Sequence, residues 1–328
     1  MKRVGIPQGL FYYYYYPLWK VFFTFLGAEV VKSSPTSKKT VDIGVNLAVD
    51  EACFPIKVYY GHVSDLLKKD VDYIFVPRFI SIETRSYICP KFMGLPDMIK
   101  AGIKELPEII DMTVDLSRTD KGFKQEILKT GSFFTNNKKK IKEAYNYALE
   151  EYKRFGELVR QGYTRQEAIK VWEGEEVFLS EKADLNIGVL GHGYSLYDDF
   201  ISMSIVKRLR DMGAKVHLPE HIKGEDIEKE AASLPKRVFW TLGRKMVGSA
   251  FYMDKNSDID GIIYVACFGC GPDSLIGEVI ERKVKKPFML LTVDEHTGEG
   301  GIVTRLEAFC DMLIRRRKLS ESNISCYG

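Results

Sequence analysis

The sequence predicts an α/β protein made of two doubly wound parallel-sheet lobes joined by a helical linker. Three observations predict it. Short β-branched runs alternate with stretches of helical period, the second half repeats the plan of the first, and a charged amphipathic segment separates the halves. Alternating strand and helix character favours a parallel sheet, because parallel neighbours cannot be joined by a tight turn and need a crossover helix.

In chain order the predicted strands are Arg3 to Ile6, Glu29 to Val31, Tyr73 to Val76, Ile109 to Val114, Asn186 to Leu190, Lys215 to Leu218, Gly261 to Ala266 and Phe288 to Val293. Helical spacing separates most of them, as at Val58, Val63, Leu66 and Leu67, or at Ile201, Ile205, Val206 and Leu209. The aromatic run Phe11 to Leu26 holds Pro17, Lys20 and five consecutive tyrosines. A membrane span needs about 20 apolar residues, and a signal peptide needs an aliphatic stretch with a small-residue cleavage site. This run is neither, and the chain is expected to be cytoplasmic, with no membrane partner.

The linker is read from Asn136 to Gln161, where Ile141, Tyr145, Ala148, Tyr152, Phe155 and Val159 share one face of a helix. Thr164 and Glu167 then form a capping box opening a second helix. The basic clusters Lys138 to Lys140 and Arg315 to Arg317 are read as solvated helix faces. The expected domains are residues 1–135, a linker at 136–182, and residues 183–328.

The internal repeat supports that division. Val4-Gly5-Ile6, followed by aromatics and a helix closing on Gly27, is answered by Ile187-Gly188-Val189, Tyr194, Tyr197 and a helix closing on Gly213. Each closing glycine is placed to end a helix before a return strand. Val71 to Val76 likewise matches Ile259 to Val265 at nearly the same offset.

Composition sets the function classes. With 328 residues, 45% apolar, the chain can fill two cores and is not a disordered, collagenous or small disulfide-bonded protein. A net charge of +3 gives no field that would draw a nucleic acid. The unusual feature is six cysteines in a chain expected to stay reduced, where clustered thiols bind metal or do redox work.

Four of them fall at the carboxyl ends of strands or the starts of following helices, where α/β proteins build their sites. They are Cys53 in Asp50-Glu51-Ala52-Cys53-Phe54-Pro55, Cys89 in Tyr87-Ile88-Cys89-Pro90, and Cys267 and Cys270 in Cys267-Phe268-Gly269-Cys270-Gly271-Pro272. On spacing alone four readings stay open: core thiols, a redox pair at Cys267 and Cys270, a zinc site, or an iron-sulfur cluster gathered from several loops. Cys310 and Cys326 read as structural. The loop Asp294 to Gly301 is a second constellation, in which Glu295, His296 and Glu299 are candidate acid/base groups. His62 and His217 read as structural. Gly191-x-Gly193 lacks the third glycine of a dinucleotide fingerprint, and no P-loop is present, so the chain is not expected to hydrolyse ATP itself.

Seven stretches together carry a family resemblance: Gly5-Ile6-Pro7, Tyr15 to Trp19, Asp50 to Cys53, Tyr73 to Arg78, Ile88 to Phe92, Gly269 to Ser274 and Asp294 to Glu299. The chain resembles the uncharacterised proteins related to the 2-hydroxyacyl-CoA dehydratase and benzoyl-CoA reductase superfamily, over essentially its whole length. The resemblance implies two flavodoxin-like lobes enclosing a 4Fe-4S or double-cubane iron-sulfur cluster on Cys53, Cys89 and Cys270. It also implies low-potential electrons from a separate ATP-dependent activase, an acyl-CoA or other small substrate undergoing radical dehydration or reduction, and pairing into a homo- or heterodimer. Three thiolates would leave one iron open to chemistry; Cys267 as a fourth ligand would close it and make the protein an electron relay. A metal-free binding module with core cysteines is the remaining expectation.

Overall fold

A computed structural model describes residues 1–179 and 183–325, with side chains of the last helix described as far as residue 319. The first half runs β1 (Arg3–Ile6), α1 (Tyr12–Phe25), β2 (Glu29–Lys32), α2 (Lys38–Leu47), α3 (Phe54–Leu66), β3 (Tyr73–Phe75), β4 (Arg78–Ser81), α4 (Pro90–Met93), α5 (Leu95–Gly102), β5 (Glu108–Ile110), β6 (Thr113–Asp115) and α6 (Lys121–Ser132). Two linking helices follow, α7 (Lys138–Arg160) and α8 (Arg165–Trp172). The second half runs β7 (Leu185–Gly191), α9 (Gly193–Leu196), α10 (Ile205–Asp211), β8 (Ala214–His217), α11 (Gly224–Ala231), α12 (Thr241–Lys255), β9 (Gly261–Cys267), α13 (Gly271–Glu281), β10 (Phe288–Val293) and α14 (Glu299–Ser325).

The two principal sheets have the same order, β2-β1-β3-β5 and β8-β7-β9-β10, with every pair parallel. In each, the chain starts inside the sheet, steps one way, then crosses back to the other side. That is the doubly wound, flavodoxin-like pattern, and it leaves a crevice at the carboxyl ends of the strands where the direction reverses. The repeat legible in the sequence is therefore a repeat of topology.

One predicted strand is corrected. The run Ile109 to Val114 is two strands in two sheets, β5 beside β3 and β6 beside β4. The cause lies in the neighbouring strand, where Pro77 has no amide to give and separates β3 from a strand the sequence reading missed, β4. The ladder continues across the break through Val76 N to Ile110 O at 3.0 Å and Arg78 N to Met112 O at 2.9 Å. Cys89 therefore follows β4 rather than the strand ending near Val76.

The aromatic run forms α1, with Tyr12, Tyr13, Tyr14 and Tyr16 all buried. It packs on α7, α8 and α9, so the tyrosines fill the space between the lobes and the linker. Their hydroxyls find partners there: Tyr16 donates to Glu173 Oε1 at 2.9 Å, and Tyr14 accepts from the Gly193 amide at 3.1 Å. The Thr164 capping box forms, with Thr164 N donating to Glu167 Oε2 at 2.7 Å and Glu167 N to Thr164 Oγ1 at 3.1 Å. Among the described residues no helix is long and apolar enough to cross a membrane.

Candidate metal centre

Cys53, Cys89 and Cys270 each occupy the position before a helix, capping α3, α4 and α13 in extended backbone conformation. The same local device recurs at all three. A proline in the first or second helical position, at Pro55, Pro90 and Pro272, presets the helical φ where no amide hydrogen bond is lost. Three loops from two lobes thus deliver their thiols in the same way.

Tertiary contacts bring the three together. They line one cavity, with Leu10, Ile56, Tyr87, Phe92, His192, Tyr194 and Trp240 among the other walls. Gly269, at φ +75°, lets the loop before Cys270 lie against Cys53, because a Cβ there would stand 3.3 Å from the Cys53 Cα. The Cys89 loop is fastened to the second lobe by Tyr87 N to Phe239 O and Thr241 N to Tyr87 O, both 3.0 Å. Arg244 adds a clamp from α12, donating to Ser86 Oγ at 2.7 Å, to Glu228 Oε1 at 2.9 Å and to Glu83.

Burial dominates the electrostatics. It pushes the Cys53 thiol up to about 11, against the opposing pull of the Ile56 amide and Lys91. Cys89 and Cys270 are also raised by burial, and nearby Asp273 raises Cys270 further. The amides of Phe92 and Asp273 pull the other way, each three residues beyond its cysteine, as Ile56 is beyond Cys53. Free thiolates are unfavourable in such a pocket, and a cationic centre would supply the missing compensation. Three soft donors on one enclosed wall fit an iron-sulfur cluster, and the dipoles of α3 and α13 favour its negative charge.

Cys267 is placed differently. As the last residue of β9 it is buried, does not line this cavity, and its Sγ donates to Ser195 Oγ at 3.1 Å. The five described cysteines are all free thiols. Cys310 is buried on α14, and Cys326 lies outside the described residues.

The Asp294 to Gly301 loop does not line the cavity either. Glu295 Oε1 accepts from Lys57 Nζ at 2.6 Å, Glu299 pairs with Arg208, and His296 is exposed. Burial pushes the Glu295 carboxyl up, but Lys57 more than offsets it and the carboxyl lies below its ordinary value. The loop leaves the sheet beside the cysteines, since Val293 pairs with Cys267 and its carbonyl accepts from Phe268 N at 2.9 Å. His62 and His217, read as structural, are partnered. Both ring nitrogens of His62 have hydroxyl partners, Ser33 and Thr36, at 3.0 Å, and His217 Nε2 lies 2.9 Å from Asn186 Oδ1.

Two site residues escaped the sequence reading. His192 follows β7 and Asp273 stands in the first turn of α13; with Cys270 they place three ligand-type atoms within 4.8 Å of one another. His192 Nε2 is 3.0 Å from Asp273 Oδ1. Burial raises the Asp273 carboxyl, while His192, the Tyr264 hydroxyl and the Cys267 amide together bring it below its usual value. The signal for His192 was its place at a strand's carboxyl end, the same argument that found the cysteines.

Residues 3–222 match the family model of the CoA enzyme activase uncharacterised domain. That span contains Cys53, Cys89 and His192 and ends before Cys267. No curated protein matches the chain. A match over more than half of the sequence establishes the family: the chain belongs to the CoA enzyme activase uncharacterised domain family, related to the activase-associated 2-hydroxyacyl-CoA dehydratase superfamily.

Proposed function

We propose that the protein is the iron-sulfur partner of an ATP-dependent activase, carrying a 4Fe-4S or double-cubane cluster on Cys53, Cys89 and Cys270. When bound, such a cluster stores and passes single low-potential electrons, and an iron without a fourth thiolate can take a substrate oxygen. The observation that carries the reading is the convergence of three helix-capping cysteines, from three loops of two lobes, on one cavity. The membership of an activase-related family supports the partner. The reaction proposed is reduction or radical dehydration of a small substrate, a 2-hydroxyacyl thioester being the class that the family resemblance implies.

The chain's own residues have definable tasks. Phe92, Tyr194 and Trp240 wall the cavity with apolar surface and restrict water. Cys267, held on Ser195, supports a three-cysteine set over a closed relay. Acid/base work by Glu295, His296 and Glu299 is supported by the loop's departure beside Cys267, and its route to the cavity would run past the Lys57 pair.

Anaerobic purification from a cluster-competent host, with iron and acid-labile sulfide analysis, tests the proposal. Brown protein containing both, with iron lost in Cys53→Ser, Cys89→Ser and Cys270→Ser but kept in Cys267→Ser, is expected. Colourless, iron-free protein would end it, and iron lost in Cys267→Ser would return the relay reading.

A further inference from the structure

Among the described residues that line the cysteine cavity, one buried side-chain polar atom has no hydrogen-bond partner: His192 Nδ1. A buried, unpaired imidazole nitrogen has given up its hydration with nothing in return unless something takes it up. His192 is only 5% exposed, so bulk water is not the ready partner.

Everything around the ring holds it in place. Its Nε2 faces the Asp273 carboxylate at 3.0 Å, which fixes the tautomer that donates from Nε2 and leaves the Nδ1 lone pair free. Asp273 is itself anchored by the Tyr264 hydroxyl at 2.9 Å and the Cys267 amide at 3.3 Å. The Tyr194 ring stacks on the imidazole with centroids 5.0 Å apart and 29° between planes. The backbone repeats the cysteine pattern, since His192 immediately precedes α9 in extended conformation. A carboxylate behind one imidazole nitrogen, with the other nitrogen unpartnered in a residue that lines a thiol-bearing cavity, matches the way proteins present histidine to a metal.

We infer that His192 is a fourth protein donor to the metal centre, presenting Nδ1 beside the thiolates of Cys53, Cys89 and Cys270 and oriented by Asp273. The inference rests on the iron-sulfur reading above. It gives the centre a three-sulfur, one-nitrogen set in which the imidazole would hold the position left open by the three thiolates, so a substrate oxygen could reach that iron only by displacing Nδ1. It also gives Cys267 no place among the ligands, in keeping with its bond to Ser195.

The test is pulsed EPR on the reduced, iron-loaded protein, prepared once at natural abundance and once with 15N-histidine. Modulation from a directly coupled nitrogen that changes from 14N to 15N character, and vanishes in a folded, iron-containing His192→Gln variant, is the expected result. The labelling comparison uses the wild-type chain, so it stands even if the variant does not fold. Iron-loaded protein with no histidine nitrogen coupling, or coupling that survives in His192→Gln, overturns this inference alone. Protein that takes up no iron overturns the iron-sulfur reading and this inference with it.

Discussion

Lys57 Nζ and Glu295 Oε1 lie 2.6 Å apart with side chains only 10% and 15% exposed, tying the helix that begins at Cys53 to the loop that leaves β10. The two residues come from different lobes, so the pair holds the cysteine-bearing end of α3 against the second sheet.

Removing one partner leaves the other charge poorly solvated. Glu295→Gln should cost about 2 kcal/mol in urea unfolding, below the usual cost for a fully buried pair because water still reaches the carboxylate. The double variant Lys57→Met with Glu295→Leu should recover most of that loss. Because the folded carboxyl lies below its ordinary value, the pair's contribution is complete above the unfolded pKa of about 4.3 and disappears as pH falls through the folded one. A single variant as stable as the wild type at pH 7 would contradict this.

Gly61 on α3 and Gly248 on α12 do the same work in the two lobes. A Cβ at Gly61 would stand 2.0 Å from the Thr40 carbonyl oxygen of α2, and one at Gly248 2.1 Å from the Ile227 carbonyl oxygen of α11. Alanine normally favours a helix over glycine by about 1 kcal/mol. Here the obstacle is backbone, which cannot turn aside, so Gly61→Ala and Gly248→Ala should each lower stability by about 1–3 kcal/mol. An unchanged or higher melting temperature would refute the packing argument.

Asp198 should give the opposite pH signature to Glu295. It is buried, accepts from Phe200 N at 3.0 Å, Ile201 N at 3.1 Å and the Thr36 hydroxyl, and burial still pushes its carboxyl up to about 6. The folded state then holds a proton that the unfolded state has released. Stability from this group is greatest below the unfolded pKa of about 3.9 and falls by about 3 kcal/mol as pH rises through 6. Asp198→Asn should flatten that slope and raise stability at pH 7, measured by urea unfolding between pH 4 and 7.5.

Arg244 is predicted to hold Cys89 in place from a distance. Its side chain is 5% exposed and serves Ser86, Glu83 and Glu228 together. Arg244→Met should cost about 1 kcal/mol, because Ser86 loses its donor while Glu83 and Glu228 are exposed enough to stay solvated, and should speed amide hydrogen exchange across residues 83–89. Iron retention should fall with the fold intact. Unaltered exchange in that loop would show that the backbone bonds of Tyr87 suffice.

Much of this was legible beforehand for stated reasons. Gly261 to Ala266 is readable as a strand because a fully buried parallel strand is a continuous apolar run, and Phe288 to Val293 carries the same apolar run although it lies at the sheet edge and is only partly buried. The run at Ile109 was misread because the break there is set by Pro77 in the neighbouring strand, which no local pattern around Ile109 reports. The acidic loop was visible as a cluster, yet its partners Lys57 and Arg208 lie far away in the chain.

The sequence by itself determined the two-lobed parallel architecture and the positions of Cys53, Cys89 and Cys270 at helix starts, because periodicity and helix-start signals are local properties. Only the tertiary structure decided which neighbours share the cavity. Cys267 closes a strand and faces Ser195, whereas Cys270, three residues on, caps a helix and faces Cys53 and Cys89. His192 and Asp273 are remote in sequence and meet because β7 and β9 are adjacent in the sheet, which brings their carboxyl ends side by side. Residue type and spacing name the donors; strand order and the direction in which each chain leaves its strand select among them.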